Sequence, residues 1–510
     1  MQTTDANVPL WEQPHVYERR WKLLGVMCLS LVMVVMSVSG LNVALPTIQE
    51  ELAASATDLQ WIVDAYAIIF AGLLLAAGAL GDKYGRKKAL MAGLVVFAIG
   101  SAVAGLADAP AQIIAGRAIS GIGAAFVMPA TLSLITTVFP PDERTKAIAF
   151  WAAFAGAGGA LGPVVSGLLL HAGFWWGSTI LVNVPIVVAT LAAVAVLSPT
   201  SKDDDDTPLD PLGAVLSLIA MAGILYGIIE GQHGWTAGGV LAAFAIGGLA
   251  MVGFIAWELR AEHPMLPMEF FKVPSFSISS AVITAAFFMM FGFFFLATQY
   301  LQFVKGYSPL RAGFSTMPLG IALIIVSPRS AALAQKIGAA KVIATGFACI
   351  AVGFGLLSLV TPTTPYWRLV ISFVLLGAGM GSTAAVSTGR LMSSVPQSKA
   401  GVGSAVNDTT REVGGAFGIA VLGSILNSAY RGGIDLSGLG LPGPALAAAD
   451  ESMGGALYAS RQLPEALGQT VRSSAAVAFT DAFSTVALVV SVVAVVAAIA
   501  TAVVISRTES

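Results

Sequence analysis

The sequence predicts an all-α polytopic membrane protein with fourteen transmembrane helices, arranged as two six-helix bundles plus two inserted helices. Three observations predict it. First, the 510 residues are 56% hydrophobic and only 11% charged, with a mean hydropathy of +0.84, whereas a soluble domain is about 25% charged. Second, the chain divides into fourteen apolar runs, each at least the ~20 residues a helix needs to cross the hydrocarbon core. Third, the last six of these runs repeat features of the first six. A chain so apolar has too little polar surface to cover itself in water, which excludes a soluble enzyme, a nucleic-acid binder and a secreted disulfide scaffold. Cys28 and Cys349 both lie inside apolar runs, and the four histidines (His15, His171, His233, His263) are far apart at segment ends or in loops. Neither set has metal-ligand spacing.

In chain order the runs are 22–46, 58–80, 86–107, 110–138, 146–171 and 175–197, then 211–231 and 238–258, and finally 274–302, 309–333, 340–361, 366–389, 400–427 and 475–506. Residues 1–21 read as a polar N-terminal tail that leads into an uncleaved helix, since no small-residue cleavage site follows. Residues 22–197 form the N-terminal bundle, 198–210 a linker, 211–258 the inserted pair, 259–273 a loop and 274–506 the C-terminal bundle. Its outer loop, about 428–474, is rich in Ala and Gly and is expected to form a short amphipathic helix over the entrance. Asp203–Asp206 reads as a solvated linker without calcium-loop spacing. Glu230 and Asp481 fall near outer helix ends and are expected to be wet.

With the N-terminus in the cytoplasm, inner loops and tails hold 18 Lys and Arg residues, outer loops hold 6, and Arg117 and Arg411 fall within spans. This positive-inside bias predicts a cytoplasmic membrane protein with both termini cytoplasmic.

The repeat has a shift of about 253 residues. The loop Gly81-Asp82-Lys83-Tyr84-Gly85-Arg86-Lys87-Lys88 is echoed by Ala334-Gln335-Lys336-Ile337-Gly338-Ala339-Ala340-Lys341. Gly121-Ile122-Gly123 returns as Gly377-Ala378-Gly379, and Gly158-Gly159-Ala160-Leu161-Gly162 as Gly414-Gly415-Ala416-Phe417-Gly418. Two bundles around a midplane site suit alternating access.

Physical reasoning gives these motifs tasks. In Gly78-Ala79-Leu80-Gly81-Asp82-Lys83-Tyr84-Gly85-Arg86-Lys87 the glycines allow a tight turn and close approach. Asp82 can pair with Arg86 or face the positive end of a helix from the other half, latching the cytoplasmic face. In span 5, Gly158, Gly162, Pro163 and Gly167 place small residues and a bend along one helix face. Arg117 lies inside span 4, where an arginine costs at least ~2.5–3.5 kcal/mol and should face a cavity or a partner. Asp64, at similar depth in span 2, is its expected partner, either as a structural ion pair or as a proton-carrying acid tuned by Arg117. In span 13, Asp408 and Glu412 are four apart and share a face, with Arg411 between them. They sit roughly 14–20 Å past Lys399, near the bilayer middle. Two acids and one base leave the cluster at −1 when all ionise, which suits proton coupling; the alternative is a fully ionised structural triad.

The Gly-x-Leu-x-Asp-x-x-Gly-Arg-Lys pattern at 78–87 resembles the hallmark of the major facilitator superfamily. Gly162-Pro163 followed by Ser166-Gly167 resembles the antiporter motif of its exporters, with Ser166 in place of a glycine. Fourteen spans, together with Asn42-Val43-Ala44-Leu45-Pro46, Asn183-Val184-Pro185 and Gly306-Tyr307-Ser308-Pro309-Leu310-Arg311-Ala312-Gly313, resemble the fourteen-helix drug:proton antiporter family over nearly the whole chain. The resemblance implies the major facilitator fold and proton-coupled export of amphipathic drugs, cationic or neutral, by alternating access. Two departures matter: relatives commonly carry an acid where this chain has Ser37, and some carry one where it has Leu323. Coupling then falls more heavily on Asp64, Asp408 and Glu412, with Arg117 and Arg411 completing the proton-coupling set, and a doubly charged substrate is disfavoured.

Candidate cavity residues are Ser37, Tyr66, Trp151, Phe154, Phe291, Phe294, Gln299 and Asn407, drawn partly from the aromatic and Met surface that suits promiscuous ligands. The expected partners are amphipathic small molecules, protons and the lipid bilayer, with no nucleic acid; the expected oligomeric state is a monomer. No cofactor or metal is expected, because the proton gradient supplies the energy. A rival transport reading is a dedicated exporter of one endogenous product such as a lipid, siderophore or antibiotic. A lesser alternative is a polytopic membrane enzyme, which would need a nucleophile–base set or metal cluster at membrane depth. No Gly-x-x-x-x-Gly-Lys-Ser/Thr loop is present for a nucleotide-driven pump.

Overall fold

A computed structural model describes residues 9–509 other than 53, 55, 201–209, 232, 233 and 438. The expectations for Asp203–Asp206 and His233 therefore lie outside the described residues. Fourteen helices are long and apolar enough to cross a membrane. We label the helices α1 (Pro14–Leu52), α2 (Ala56–Tyr84), α3 (Arg86–Gly105), α4 (Pro110–Val138), α5 (Pro141–His171), α6 (Asn183–Leu197), α7 (Pro211–Gly231), α8 (Gly238–Glu258), α9 (Pro274–Gln299), α10 (Pro309–Ile337), α11 (Ala339–Leu357), α12 (Tyr366–Ser393) and α13 (Ala400–Gly433). Two short helices, α14 (Gly443–Glu451) and α15 (Met453–Gln462), precede α16 (Glu465–Glu509). An even number of crossings puts the start of α1 and the end of α16 on one side, here termed the chain-end face.

Packing repeats as the sequence does. Helix α1 lies along α5 and α3 along α4; in the second half α9 lies along α13 and α11 along α12. The repeated glycines make these approaches possible. A Cβ on Gly123 would sit 2.6 Å from the Gly93 carbonyl oxygen, and one on Gly379 would sit 2.5 Å from that of Gly346. The turns between α2 and α3 and between α10 and α11 match as well, with Gly85 at φ +107° and Gly338 at φ +91°, where a side chain would be strained.

The halves meet along two seams, α2 against α13 and α5 against α10. The inserted pair α7–α8 is not free in the lipid: α7 packs on both α2 and α13 and so covers one seam. Two expectations change. Helix α1 begins at Pro14, inside the expected tail, because Arg20 is bonded to Glu143 at 2.7 and 3.0 Å and Trp21 stacks edge-on against Phe139. The segment 428–474 holds the end of α13, two short helices rather than one, and the start of α16. Tyr430 anchors it by donating its hydroxyl to the Ala449 carbonyl at 2.9 Å.

Candidate functional site

At the chain-end face the α2–α3 turn meets the other half. The backbone N–H groups of Gly401 and Val402, in the first turn of α13, donate to Asp82 at 2.9 and 3.1 Å. Both Arg86 contacts to Asp82 Oδ1 are present too, at 2.9 Å from Nε and 2.8 Å from Nη2. Arg86 also donates to the Gln397 carbonyl at 2.6 Å. The carboxylate thus accepts two charge-assisted bonds from a helix N-terminus and is neutralised by the arginine that opens α3 just past the turn, all out of water. Gly78 permits the contact, since a Cβ there would lie 2.6 Å from the Gly401 carbonyl. Lys87 departs from the group: its ammonium caps the end of α6 through the Ala195 and Ser198 carbonyls at 2.8 and 2.7 Å.

On α5, Gly158 and Gly162 face α1, where a Cβ on Gly162 would sit 2.7 Å from the Met36 carbonyl. Pro163 and Gly167 face the other half: Pro163 Cβ approaches Gly313 of α10, and Gly167 approaches Leu310. One motif therefore serves both an internal packing face and a seam between halves. Leu323 is buried against Gly156 on that seam.

Arg117 is fully buried, but its expected partner is wrong. Its Nε donates to the Ile62 carbonyl and its Nη1 to Ser37 Oγ, each at 3.2 Å, and its guanidinium lies 4.2 Å from the centre of the Tyr66 ring. Asp64 is not among its partners. Consecutive helical residues are turned about 100°, so Asp64 and Tyr66 point in nearly opposite directions. With Tyr66 over Arg117, Asp64 faces α7 instead and interacts with Gln60 one turn earlier. Gln60 Nε2 donates to Glu230 Oε1 at 2.8 Å, so Glu230 is a bonded, half-buried residue of the α2–α7 interface rather than a wet helix end.

On α13, Asp408 is buried. Its Oδ1 accepts from Arg411 Nη1 at 3.4 Å and from Asn407 Nδ2 at 3.1 Å, and Asn407 Oδ1 in turn accepts from Thr388 at 2.9 Å. Arg411 also lies 4.5 Å from the centre of the Phe287 ring and 5.2 Å from that of Trp151. Glu412 is half-buried and forms no ion pair among the described residues. The structure thus separates the two acids that share a face: one is pinned and the other is not.

The expected cavity set divides similarly. Ser37, Tyr66, Trp151 and Asn407 are buried. Trp151 donates to Thr131 Oγ1 at 3.1 Å beneath Arg411. Phe154 is exposed, while Phe291, Phe294 and Gln299 are half-buried. Sequence reasoning missed Gln60 and Gly401, and no short-range signal marks either. Both acquire their partners only through packing between helices distant in sequence.

Comparison with known proteins follows from this geometry. The family profile described as the Major Facilitator Superfamily matches residues 27–419. The multidrug efflux pump LfrA of Mycolicibacterium smegmatis is 36% identical over 472 residues, covering 92% of this chain and 93% of that protein. The methyl viologen resistance protein SmvA of Salmonella typhimurium is 33% identical, covering 90% and 93% respectively. Among solved structures, the human organic anion transporter MFSD10 is similar in fold at a TM-score of 0.61 and 12% identity, covering 93% of this chain and 99% of that one. A bacterial homologue of the human lysosomal transporter Spinster gives 0.59 at 19% identity, covering 97% and 98%.

Proposed function

This chain belongs to the Major Facilitator Superfamily, and from that premise we propose that it is a proton-coupled efflux transporter, not an enzyme. Its substrates are amphipathic drugs, cationic or neutral, carried out across the cytoplasmic membrane. The positive-inside bias makes the chain-end face cytoplasmic. The reading of drug efflux draws on relatives named as efflux and resistance proteins at 33–36% identity.

One observation carries the mechanism: α13 holds both the N-terminus seated on Asp82 and, further along, Glu412, a half-buried acid without an ion pair among the described residues. Gly401 and Val402 sit on Asp82. Glu412 is eleven residues along the same helix, about 16 Å at 1.5 Å per residue. A tilt of α13 that exposes Glu412 to the other compartment must also withdraw its N-terminus from Asp82. In the state closed at the cytoplasm, Glu412 takes a proton from outside and substrate leaves. Once neutral, the acid can be sealed from water at the low-dielectric midplane at lower cost, the Asp82 contact parts, and the cavity faces inward. There the proton departs and a new ligand enters among Phe154, Phe291 and Phe294. Arg117, under Tyr66, supplies the positive charge of the other wall. Inward movement of one proton releases about 2.3 kcal/mol per 100 mV, enough for more than a tenfold substrate gradient.

The test is ethidium transport into everted vesicles monitored with a pH-sensitive dye. Ethidium should trigger proton release from wild-type vesicles and not from Glu412→Gln vesicles. Undiminished exchange in that variant removes the acid from the mechanism.

A further inference from the structure

The cytoplasm-distal end of the second half carries a cluster to which the cycle proposed above assigns no part. An open cavity of about 310 Å³ is lined by Tyr307, Arg311, Phe314, Ser315 and Tyr366. It lies where the first turns of α10 and α12 meet, in the Gly306–Gly313 phrase and at the start of α12.

Charge is the first argument. Outer loops of a membrane protein are usually poor in basic residues, yet Lys305, Arg311 and Arg368 gather at this end of the C-terminal half. No acidic residue occurs anywhere from 270 to 407, and no carboxylate lines the cavity. Lys305 is committed to structure. Its ammonium donates to the Pro362 and Thr364 carbonyls at 2.8 and 2.5 Å, and burial lowers its pKa from the usual lysine value. It thereby fixes the turn that leads into Tyr366. Arg311 is exposed and stacks at 3.9 Å over the Tyr307 ring, which holds the guanidinium at the cavity wall with its donor edge available. Tyr366 is set beside it by donating to the Ser315 carbonyl at 3.0 Å. Two helix N-termini add partial positive charge at the same place.

The second argument is what lies beneath. Exposed apolar side chains run down α10 from the cavity at helical spacing: Phe314, Met317, Ile321 and Ile325. A second exposed line, Trp367, Ile371 and Val374, descends α12. A polar, basic, aromatic-rimmed cavity at the head of two apolar stripes has the form of a lipid: phosphate above, acyl chains below.

We propose that this cavity binds the phosphate of an anionic phospholipid of the outer leaflet, with Arg311 as its principal contact and the acyl chains on α10 and α12. The same cavity chemistry fits a free phosphate ester, but the stripes favour the lipid.

The test is native mass spectrometry of the purified full-length protein, titrated separately with phosphatidylglycerol, phosphatidylcholine and glycerol phosphate. Phosphatidylglycerol should be retained about fivefold over phosphatidylcholine, the preference that one basic residue near an anionic headgroup confers. Arg311→Gln should abolish that preference and Arg311→Lys should restore part of it, with unchanged unfolding temperatures verifying the fold. Equal retention of both lipids by the wild type, or an unaltered preference in Arg311→Gln, overturns the proposal. Competition by glycerol phosphate as strong as by the lipid overturns the lipid as the source. Because the readout is binding, the result is independent of whether ethidium exchange depends on Glu412.

Discussion

Asp82 of the first half accepts a hydrogen bond from the backbone N–H of Gly401 in the second at 2.9 Å, so a carboxylate on one bundle seats the N-terminus of a helix on the other. With the Val402 bond it forms two charge-assisted contacts across the seam, each worth about 1.5–3 kcal/mol. Asp82→Asn retains the size of the side chain and loses the charge. The expected outcome is a shift of at least tenfold toward the form open at the cytoplasm. Spin labels at the exposed positions Tyr84 and Ser393, on opposite halves, should report it as a longer distance in pulsed EPR. An unchanged distance distribution would show that the contact closes nothing.

The two acids of α13 should respond differently to neutralisation. Asp408→Asn weakens a buried pair and leaves Arg411 short of a counter-charge, so it should cost about 1–3 kcal/mol of stability as well as coupling. Glu412 has no ion pair to lose. Glu412→Gln should abolish drug-driven proton release while the unfolding temperature in detergent stays at the wild-type value. Equal destabilisation by both substitutions would mean that Glu412 is as firmly pinned as Asp408.

Arg117 gives a prediction of opposite sign. It is buried with one neutral side-chain acceptor, Ser37 Oγ, and its Nη2 is buried without a partner. Ser37→Asp puts a carboxylate within reach of both terminal nitrogens, and a charge-assisted pair should replace a neutral bond. The protein should become more stable by about 1–2 kcal/mol, read as a raised unfolding temperature. Asp64→Asn, which touches Gln60 rather than Arg117, should leave that temperature unaltered. Destabilisation by Asp64→Asn alone would restore the Asp64–Arg117 pairing that the geometry rejects.

These cases mark what a sequence can reveal about such a molecule. The spans were legible because bilayer thickness imposes a minimum apolar length on every crossing, and the repeat because close helix approach demands glycine at the same places in both halves. The contact made by Asp82 was legible in kind, as an acid beside a helix N-terminus from the other half. That the helix would be α13, through Gly401, was not. The direction of Asp64 was lost for a related reason. Depth in the membrane follows from residue counting, but azimuth around the helix is set by packing. Once Tyr66 is known to cover Arg117, Asp64 must look toward α7. Glu230 was misjudged because an acid in the last turn of a helix looks solvent-exposed until another helix, here α2 with Gln60, covers it.

The glycine-rich stretch of α5 can be dissected in the same terms. A Cβ on Gly162 would press on the Gly40 backbone nitrogen at 2.6 Å and the Met36 carbonyl at 2.7 Å, atoms of a helix that cannot move aside singly. One on Gly159 would meet only Val35 Cγ1, at 4.0 Å, an ordinary contact. Gly162→Ala should therefore separate α1 from α5 and cost about 1–3 kcal/mol as overpacking does. Gly159→Ala should be neutral or stabilising by up to ~1 kcal/mol, since alanine is the better helix former. Unfolding temperatures of the two variants in the same detergent decide the matter. If they fall equally, the stretch acts through backbone flexibility common to its glycines. If only Gly162→Ala falls, close approach to α1 is the reason a glycine stands there.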